Sequence, residues 1–270
     1  MYKRQAQRRV LPAITTGAGR RVSYVLLNPT DEPMAGTIEA DGQEIGYSIS
    51  PGGAFVSESG DDIRPLATDF GIVRASSGAA PSAYAISVTE RRDRSISNVR
   101  VTSSHQEGTL FWAPVDTYPS LLRHGDADMT LNLVNEGRVP ATVNLELFDI
   151  DGNSSGTVEQ IVPLGRSDQI SLEDAFGRSP IRGTLRVFAD AQIVASLQRT
   201  VDNVLGEEIV TDIPLQPNPS ASIDAMILPL FADGSGFATQ MLLMNTGRDA
   251  SSGALRIREE TGDVRTAILR

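Results

Sequence analysis

The two histidines, His105 and His124, are the first candidates for chemistry, because the chain contains no cysteine. His124 lies in the stretch RHGDAD beside Asp126 and Asp128, and a His–Asp pair could bind a metal ion or orient a general base. The same stretch is typical of a polar loop before a strand, which here begins near Met129. We favour the loop, and the sequence therefore predicts no catalytic, cofactor-binding or metal-binding residue.

Three other short motifs have functional and structural interpretations. DIDGN at 149–153 resembles the start of a calcium loop, but the twelfth position is Gln160 where a carboxylate is needed, and Asp-Gly also marks a hairpin turn. ESGDDI at 58–63 could bind calcium but is better explained as a solvated loop. GAGRR at 17–21 lacks the Lys-Ser/Thr of a phosphate loop. No GxSxG elbow is present to anchor a hydrolase triad.

Trp112 is the only tryptophan in a chain with 5% aromatic residues. Sugar-binding surfaces usually contain several aromatic platforms, so this composition argues weakly against a carbohydrate module. We expect Trp112 to pack at the junction between two modules, where its N–H can reach a polar partner.

The composition is that of a soluble globular chain with room for two or three domains. It has 270 residues, 40% of them hydrophobic, and a net charge of −10. An acidic chain does not offer the basic face that nucleic acid requires. No apolar run reaches the ~18 residues of a membrane helix, and residues 1–25 contain no signal peptide.

The first five residues, MYKRQ, contain the only lysine of the chain, Lys3. They match the translation of a transposon end used to prepare sequencing libraries, and elsewhere the gene uses arginine. A genuine basic arm, KRQAQRR, is the alternative interpretation. We expect residues 1–5 to make no native contacts, and a natural N-terminus with any export signal to be missing.

An internal repeat organises the rest of the chain. Residues 11–38 align with 228–255 without a gap, and a weaker copy begins at Met129. The identical pairs of the first alignment are Leu11/Leu228, Pro12/Pro229, Gly17/Gly234, Gly19/Gly236, Leu26/Leu243, Asn28/Asn245 and Gly36/Gly253. The weaker copy matches Asn28 with Asn135. Steps of about 107 to 110 residues are the size of one β-sandwich module.

Period-two alternation in short segments such as MTLNLVN and TVNLELF predicts antiparallel strands with one buried face. A strand–Asn–turn–strand unit recurs at Asn28, Asn135 and Asn245, and we expect each turn to join two paired strands. SLEDAF at 171–176 predicts one helical turn capped by Ser171. The fold class is therefore all-β, with tandem immunoglobulin-like β-sandwiches, two complete and one partial.

These observations predict five segments. An adapter-like or disordered N-terminus covers residues 1–9. Sandwich module 1 covers 10–104 and sandwich module 2 covers 105–212. A Pro-rich linker at 213–225 precedes a partial module at 226–270, which is either truncated or a natural half-module.

The opening of the third copy, LPLFADGSGFATQMLLMNTGRDASSGALRI, resembles a tandem-repeat family of secreted or surface proteins from environmental bacteria. Its recurring pattern is roughly FPxFADGxGxxTQxxLxNxxxxxxxGxLxF. YSISPGG at 47–53 and GIVRASSGAAPSAYAISV at 71–88 resemble the second half of that module. Module 1 departs from the pattern at Thr15 and Thr16, which replace Ala-Asp. The resemblance implies an exported, non-catalytic, β-rich protein.

The sequence therefore favours a non-enzymatic spacer or interaction array, part of a larger exported bacterial protein at the cell surface or outside the cell. We expect an unknown protein or surface partner and no cofactor, nucleic acid or membrane-spanning segment. The alternative is a ligand-binding or adhesive module, carbohydrate-specific or calcium-dependent, whose site lies on loops.

Overall fold

The fold is all-β, as predicted. The computed structural model describes residues 7–12, 14, 20–40, 43–58, 70–90, 96–105, 107–118, 127–202, 208–213, 215–217, 243–245, 252–258 and 264–269. The chain divides into two compact units, Met1–Asn218 and Pro219–Arg270. The first unit contains two antiparallel β-sandwiches, which we call module 1 and module 2.

Module 1 is a sandwich of two four-stranded sheets. Its strands are β1 (Arg8–Pro12), β2 (Arg20–Leu27), β3 (Met34–Ala40), β4 (Gln43–Ile49), β5 (Ala54–Glu58), β6 (Phe70–Ala75), β7 (Ser82–Glu90) and β8 (Ile96–Ser103). The first sheet has the order β1-β6-β3-β4 and the second has the order β5-β2-β7-β8. Alternate side chains of both sheets fill one core, which includes Leu11, Leu26, Ile38 and Val73.

Module 2 begins with β9 (Gly108–Asp116) and repeats the same layout. The other elements are β10 (Ala127–Asn135), β11 (Ala141–Phe148), β12 (Ser154–Val162), β13 (Arg166–Ser171), α1 (Leu172–Phe176), β14 (Arg182–Asp202), β15 (Glu208–Ile213) and β16 (Gln216–Pro217). The core includes Phe111, Met129, Leu145 and Val187. Strict alternation along β11 buries four of its side chains and leaves the other four partly exposed.

Strand β14 joins the two layers of module 2, because it is 21 residues long and takes part in both. Its first half pairs with β9 and β11, and its second half pairs with β10 and β15. The first sheet is therefore β16-β9-β14-β11-β12, and the second is β13-β10-β14-β15. If β14 is counted as the fusion of β6 and β7, and β16 is set aside, the strand order equals that of module 1. The two modules therefore share one topology.

Asn28 and Asn135 fasten the same loop in the two modules. The buried Asn28 amide donates to the carbonyl oxygens of Glu32 at 2.7 Å and Ser50 at 3.1 Å, and its Oδ1 accepts from Thr30 N at 3.1 Å. These bonds tie the loop after β2 to the end of β4. A buried backbone carbonyl without a partner is costly, so the position needs a side chain that both donates and accepts.

The Asn135 side chain makes the equivalent bonds. Its amide donates to the carbonyl oxygens of Val139 at 2.8 Å and Val162 at 2.9 Å, and its Oδ1 accepts from Gly137 N at 2.8 Å. One expectation is wrong, however: β2 and β3 lie in opposite sheets, as do β10 and β11. The Asn loop crosses from one layer to the other, because alternation shows which face is buried but not which strand is the neighbour.

Helix α1 confirms the predicted capping. Ser171 Oγ accepts from Asp174 N at 3.4 Å, and Gly177 ends the helix in the left-handed conformation at φ 63°. Glycine adopts that conformation without steric cost. With five residues, α1 is too short to be stable alone, and buried Leu172 anchors it to the core. Among the described residues, no helix is long and apolar enough to cross a membrane.

The predicted boundaries need two corrections. Strand β1 begins at Arg8, and Gln7 donates its backbone N–H to Gly78 O, so residues 7–9 belong to module 1 and not to a disordered N-terminus. At the other end, β16 pairs with β9 within the range predicted as a linker, so module 2 extends beyond residue 212. The expectations for residues 1–5 lie outside the described residues.

In the second compact unit, β17 (Gly253–Arg258) pairs with β18 (Val264–Leu269) as an antiparallel hairpin. Residues 243–245 are also described there and form no strand. The hairpin places Leu255 opposite Ala267.

Candidate functional site

The outer face of the first sheet of module 1 packs on the outer face of the second sheet of module 2. Val10, Phe70 and Ile72 point away from the module 1 core and meet Val134 and Val194 of module 2. We call these five residues the junction cluster. Each is at most 6% exposed. Burial of five apolar side chains provides the main attraction between the modules.

Ion pairs border the junction cluster on one side. Glu136 directly follows β10, and its Oε2 lies 3.5 Å from Arg8 Nη1 and 3.7 Å from Arg74 Nη2. Arg8 also pairs with Glu107, and Arg74 pairs with Glu39 at 3.3 Å. Burial raises the pKa of Glu136, while the positive charges of Arg8 and Arg74 act in the opposite direction. The two arginines thus attach module 1 to a largely buried carboxylate of module 2.

Ser103, His105 and Asp212 form a polar cluster on another part of the junction. Asp212 lies on β15 of module 2, whereas Ser103 ends β8 of module 1. Ser103 Oγ donates to Asp212 Oδ2 at 2.8 Å, and His105 Nε2 lies 3.4 Å from both Asp212 Oδ2 and Ser103 Oγ. The side chains of His105 and Asp212 are each 13% exposed.

The three residue types are those of a hydrolase triad, but the arrangement differs. In a triad the histidine lies between the nucleophile and the acid, with one ring nitrogen facing each. Here the Ser103 hydroxyl donates directly to the carboxylate, and the same Nε2 atom faces both partners. The histidine therefore does not lie between the serine and the carboxylate with one ring nitrogen facing each. The geometry suits a clamp between modules and does not suit a nucleophile.

Arg100 and Gln198 form a further link across the junction. Arg100 Nη2 donates to Gln198 Oε1. Gln198 on β14 lies directly opposite Asp212 on β15. Arg100 and Ser103 of module 1 therefore contact two residues that face each other across neighbouring strands of module 2. Gln198 is fully buried, as is Ser196 on the same face of β14. The outer face of this sheet is thus covered at its polar positions as well as at Val134 and Val194.

A second surface lies on the outer face of the first sheet of module 2. Trp112 stacks on Phe148 with ring centroids 5.9 Å apart, and the Arg186 guanidinium lies 5.7 Å from the Trp112 ring. Arg186 also pairs with Glu146. Phe188, on the same face, is 50% exposed. We call this surface the Trp112 face.

The expectation that Trp112 packs at the junction is wrong. Alternation along β9 places Phe111, Ala113 and Val115 in the core, so Trp112 points outward from the first sheet of module 2. The junction uses the other sheet of that module. The sequence did not reveal this, because a side chain on the outward side of a strand carries no sign of whether another module covers it.

The other sequence candidates have separate outcomes. DIDGN is a turn, as favoured: Asp149 Oδ1 accepts from the backbone N–H groups of Asp151 and Asn153, both at 2.9 Å. These bonds, chiefly the one from Asn153, lower the pKa of Asp149. His124 lies outside the described residues, as do 17–19 and 59–63. Within the described residues, no three His, Asp or Glu side chains are grouped to hold a metal ion.

No protein-family model matches the chain, and no curated protein matches it. Several solved structures are similar to the chain at low scores, among them three β-glucuronidases. A calcium-binding mutant of Bacteroides uniformis β-glucuronidase 2 is 11% identical with a TM-score of 0.18, and Bacteroides uniformis β-glucuronidase is 12% identical with a TM-score of 0.18. A β-glucuronidase of glycoside hydrolase family 2 is 9% identical with a TM-score of 0.20.

These similarities cover 76% of this chain but only 23–25% of the solved chains. The chain therefore spans about a quarter of the length of the enzymes that it matches. Similarity at this level does not bear on activity.

Proposed function

We propose that this chain is a non-catalytic spacer or interaction array, built from β-sandwich modules that dock rigidly on one another. The observation that carries the proposal is the junction. The junction cluster, the arginine–Glu136 pairs and the Ser103–Asp212 bond connect the two modules at several separate points. A buried, polar-bordered contact of this kind holds two domains in one orientation, whereas exposed linkers leave domains free to move.

Calorimetry tests the rigid array. Modules that share a junction unfold together, so we expect one transition for modules 1 and 2, with matching calorimetric and van't Hoff enthalpies. Val134→Asp places a charge in the junction cluster and should split that transition in two. Ile150→Asp, in the turn after β11 and 74% exposed, is the control and should leave one transition. Two transitions for modules 1 and 2 in the unchanged protein would contradict the proposal.

A covalent serine probe tests the non-catalytic part. Fluorophosphonates label serine nucleophiles that are activated by a histidine. Ser103 donates to Asp212 and should not react, and His105→Asn should not alter the result. Labelling of Ser103 that disappears in His105→Asn would establish a hydrolase site instead.

The proposed location is the surface of a bacterial cell or the medium outside it. Support comes from the resemblance of the FADGSG repeat to surface proteins and from the net charge of −10, which favours solubility. Antibodies raised against this chain should label intact cells of the source bacterium. Labelling only after permeabilisation would contradict an external location.

A carbohydrate-binding function is the second candidate, because the Trp112–Phe148 pair offers an aromatic surface. Sugar rings stack on such platforms, and Arg186 beside them could hydrogen-bond to hydroxyl or carboxylate groups. Trp112 is the only tryptophan, so its fluorescence reports binding at this face directly. Titration with neutral and acidic oligosaccharides would support this candidate if the emission change saturates and if Arg186→Ala, which keeps the tryptophan, weakens it.

A further inference from the structure

The junction joins two different faces, and each module carries both of them. Module 1 contributes the outer face of its first sheet, and module 2 contributes the outer face of its second sheet. Among the described residues, two outer faces of the same kinds are not covered by the other module. One belongs to the first sheet of module 2. The other belongs to the second sheet of module 1, apart from Arg100 and Ser103 of its edge strand β8, which contact module 2.

The unused face of module 2 is the Trp112 face, and its positions correspond to the junction face of module 1. Trp112 lies opposite Arg186, as Val10 lies opposite Ile72. Leu110 lies opposite Phe188 in the same way that Arg8 lies opposite Arg74. Four apolar side chains on this face are partly exposed: Leu110, Trp112, Phe148 and Phe188. The face thus combines apolar side chains with the charged Arg186, which lies where the junction face of module 1 carries Ile72.

The unused face of module 1 is the outer surface of β5-β2-β7-β8, which we call the Val101 face. Paired positions on neighbouring strands place its side chains on one side. They are Val25, Leu27, Val56, Tyr84, Ile86, Val88, Val99 and Val101. Val101 is 44% exposed, Val99 is 49% exposed and Val56 is 60% exposed. An apolar surface of this extent on a soluble protein marks an interaction site.

The chain also leaves the two modules in the same manner. After β8, His105 exchanges backbone hydrogen bonds with Val10 at 2.8 and 3.2 Å, next to the face that module 2 covers. After β15, Gln216 of β16 pairs with Trp112, at the position in β9 that corresponds to Val10 in β1. The surroundings of the Trp112 face therefore repeat those of the occupied face.

We propose that copies of this chain associate head to tail, with the Trp112 face of one copy packed on the Val101 face of the next. The contact repeats the arrangement that joins module 1 to module 2. This inference rests on the proposed array function and names its partner. Because the two faces differ, the contact is heterologous and extends into open oligomers.

Sedimentation velocity of the full chain over a range of concentrations tests the association. We expect the mean mass to increase with concentration, and the Trp112 emission to shift to shorter wavelength as the ring leaves water. Phe188→Glu blocks one face and Val101→Glu blocks the other, so each variant alone should stay monomeric. Leu164→Glu changes an apolar residue that is 55% exposed in the turn between β12 and β13, and it should associate like the unchanged chain.

Mixing the two blocked variants gives the decisive result. Phe188→Glu retains its Val101 face and Val101→Glu retains its Trp112 face, so the mixture should form a 1:1 dimer and nothing larger. The emission shift should return in the same mixture. Circular dichroism and thermal melting establish that each variant is folded, and Phe188→Lys and Val99→Glu replace any that is not.

Three results would overturn the inference. The unchanged chain could remain monomeric at every concentration. An emission shift of Trp112 that needs an oligosaccharide and occurs in the monomer would count as the same result. Val101→Glu alone could still dimerise, which would indicate that the Trp112 face pairs with itself. The two variants could also fail to form a dimer when mixed. A single calorimetric transition without association would leave the array function standing and reject only the head-to-tail contact.

Discussion

The outer face of the first sheet is buried in module 1 and exposed in module 2, although the two sheets have the same strand order. In module 1 the face carries Val10, Phe70 and Ile72 under a neighbouring module. In module 2 the equivalent positions carry Trp112 and Arg186, which stay partly exposed. Equal strand order thus places an outward sheet face at the same position in both modules. Whether that face is buried depends on its side chains and on the presence of a neighbouring module.

The largest expected effect on the free energy of unfolding comes from replacing a phenylalanine by alanine on the outer face of the first sheet, once in each module. Phe70→Ala removes a ring that is 6% exposed in the junction cluster, and should lower the free energy of unfolding by about 3–4 kcal/mol. Phe188→Ala removes a ring that is 50% exposed, and should cost less than about 1 kcal/mol in dilute, monomeric protein. Urea denaturation measures both. Equal losses would show that the two faces do not differ in burial.

The Asn loops give the next effect, since they are shared by both modules. Asn28→Ala and Asn135→Ala each leave buried backbone carbonyls without a donor, and should cost about 2–3 kcal/mol. Asn144→Ala, at a partly exposed position of β11, is the matched control and should cost under about 0.5 kcal/mol. A loss at Asn135 no larger than at Asn144 would remove the proposed structural reason for the repeated asparagine.

The sequence revealed the fold wherever a residue had a local role. Asn28 and Asn135 recur because each closes its own loop through backbone groups two to four residues further on, besides reaching the end of β4 or β12. Ser171 likewise caps a helix three residues away. The junction was not found, because its contacts join residues far apart in the chain. Ser103 and Asp212 are 109 positions apart, and nothing near either residue indicates the other.

One sequence signal could have indicated the junction. A strand with one solvated face alternates, as β11 does, but residues 193–198 of β14 are all buried. An unbroken IVASLQ segment in an antiparallel sandwich indicates a strand covered on both faces. The polar residues Ser196 and Gln198 obscure this pattern, because polar side chains at alternate positions are typical of a solvated face, whereas here both are buried.

The third prediction concerns a difference inside the two cores. A Cβ on Gly36 would lie 1.9 Å from Arg74 O, the atom that accepts from Tyr47 Oη at 3.0 Å. The corresponding position in module 2 is Val143. In module 1 the Tyr47 side chain, from the neighbouring strand β4, lies where a side chain at position 36 would be. Gly36→Ala should therefore cost about 1–3 kcal/mol. Gly46→Ala, where a Cβ meets nothing within 4 Å, is the control and should be near neutral.

The smallest expected effect is the pH dependence of the ion pairs at the junction. Burial raises the pKa of Glu136 above its ordinary value of 4.5, so the folded protein binds protons more tightly there than the unfolded chain does. A raised carboxyl pKa contributes stability that is fully present below the unfolded pKa and is lost as the pH rises through the folded pKa. The unchanged protein should thus lose stability relative to Glu136→Gln as the pH rises from about 4 to about 7.

The comparison with Glu136→Gln isolates this group from the carboxylates that do not share its arginine partners. Glu159→Gln, on the outer strand β12, controls for the loss of one negative charge. Urea denaturation at several pH values supplies the difference in unfolding free energy. A gain of the unchanged protein over Glu136→Gln with rising pH would mean that Arg8 and Arg74 outweigh burial. The junction would then be held by its charges as much as by the five apolar side chains beside them.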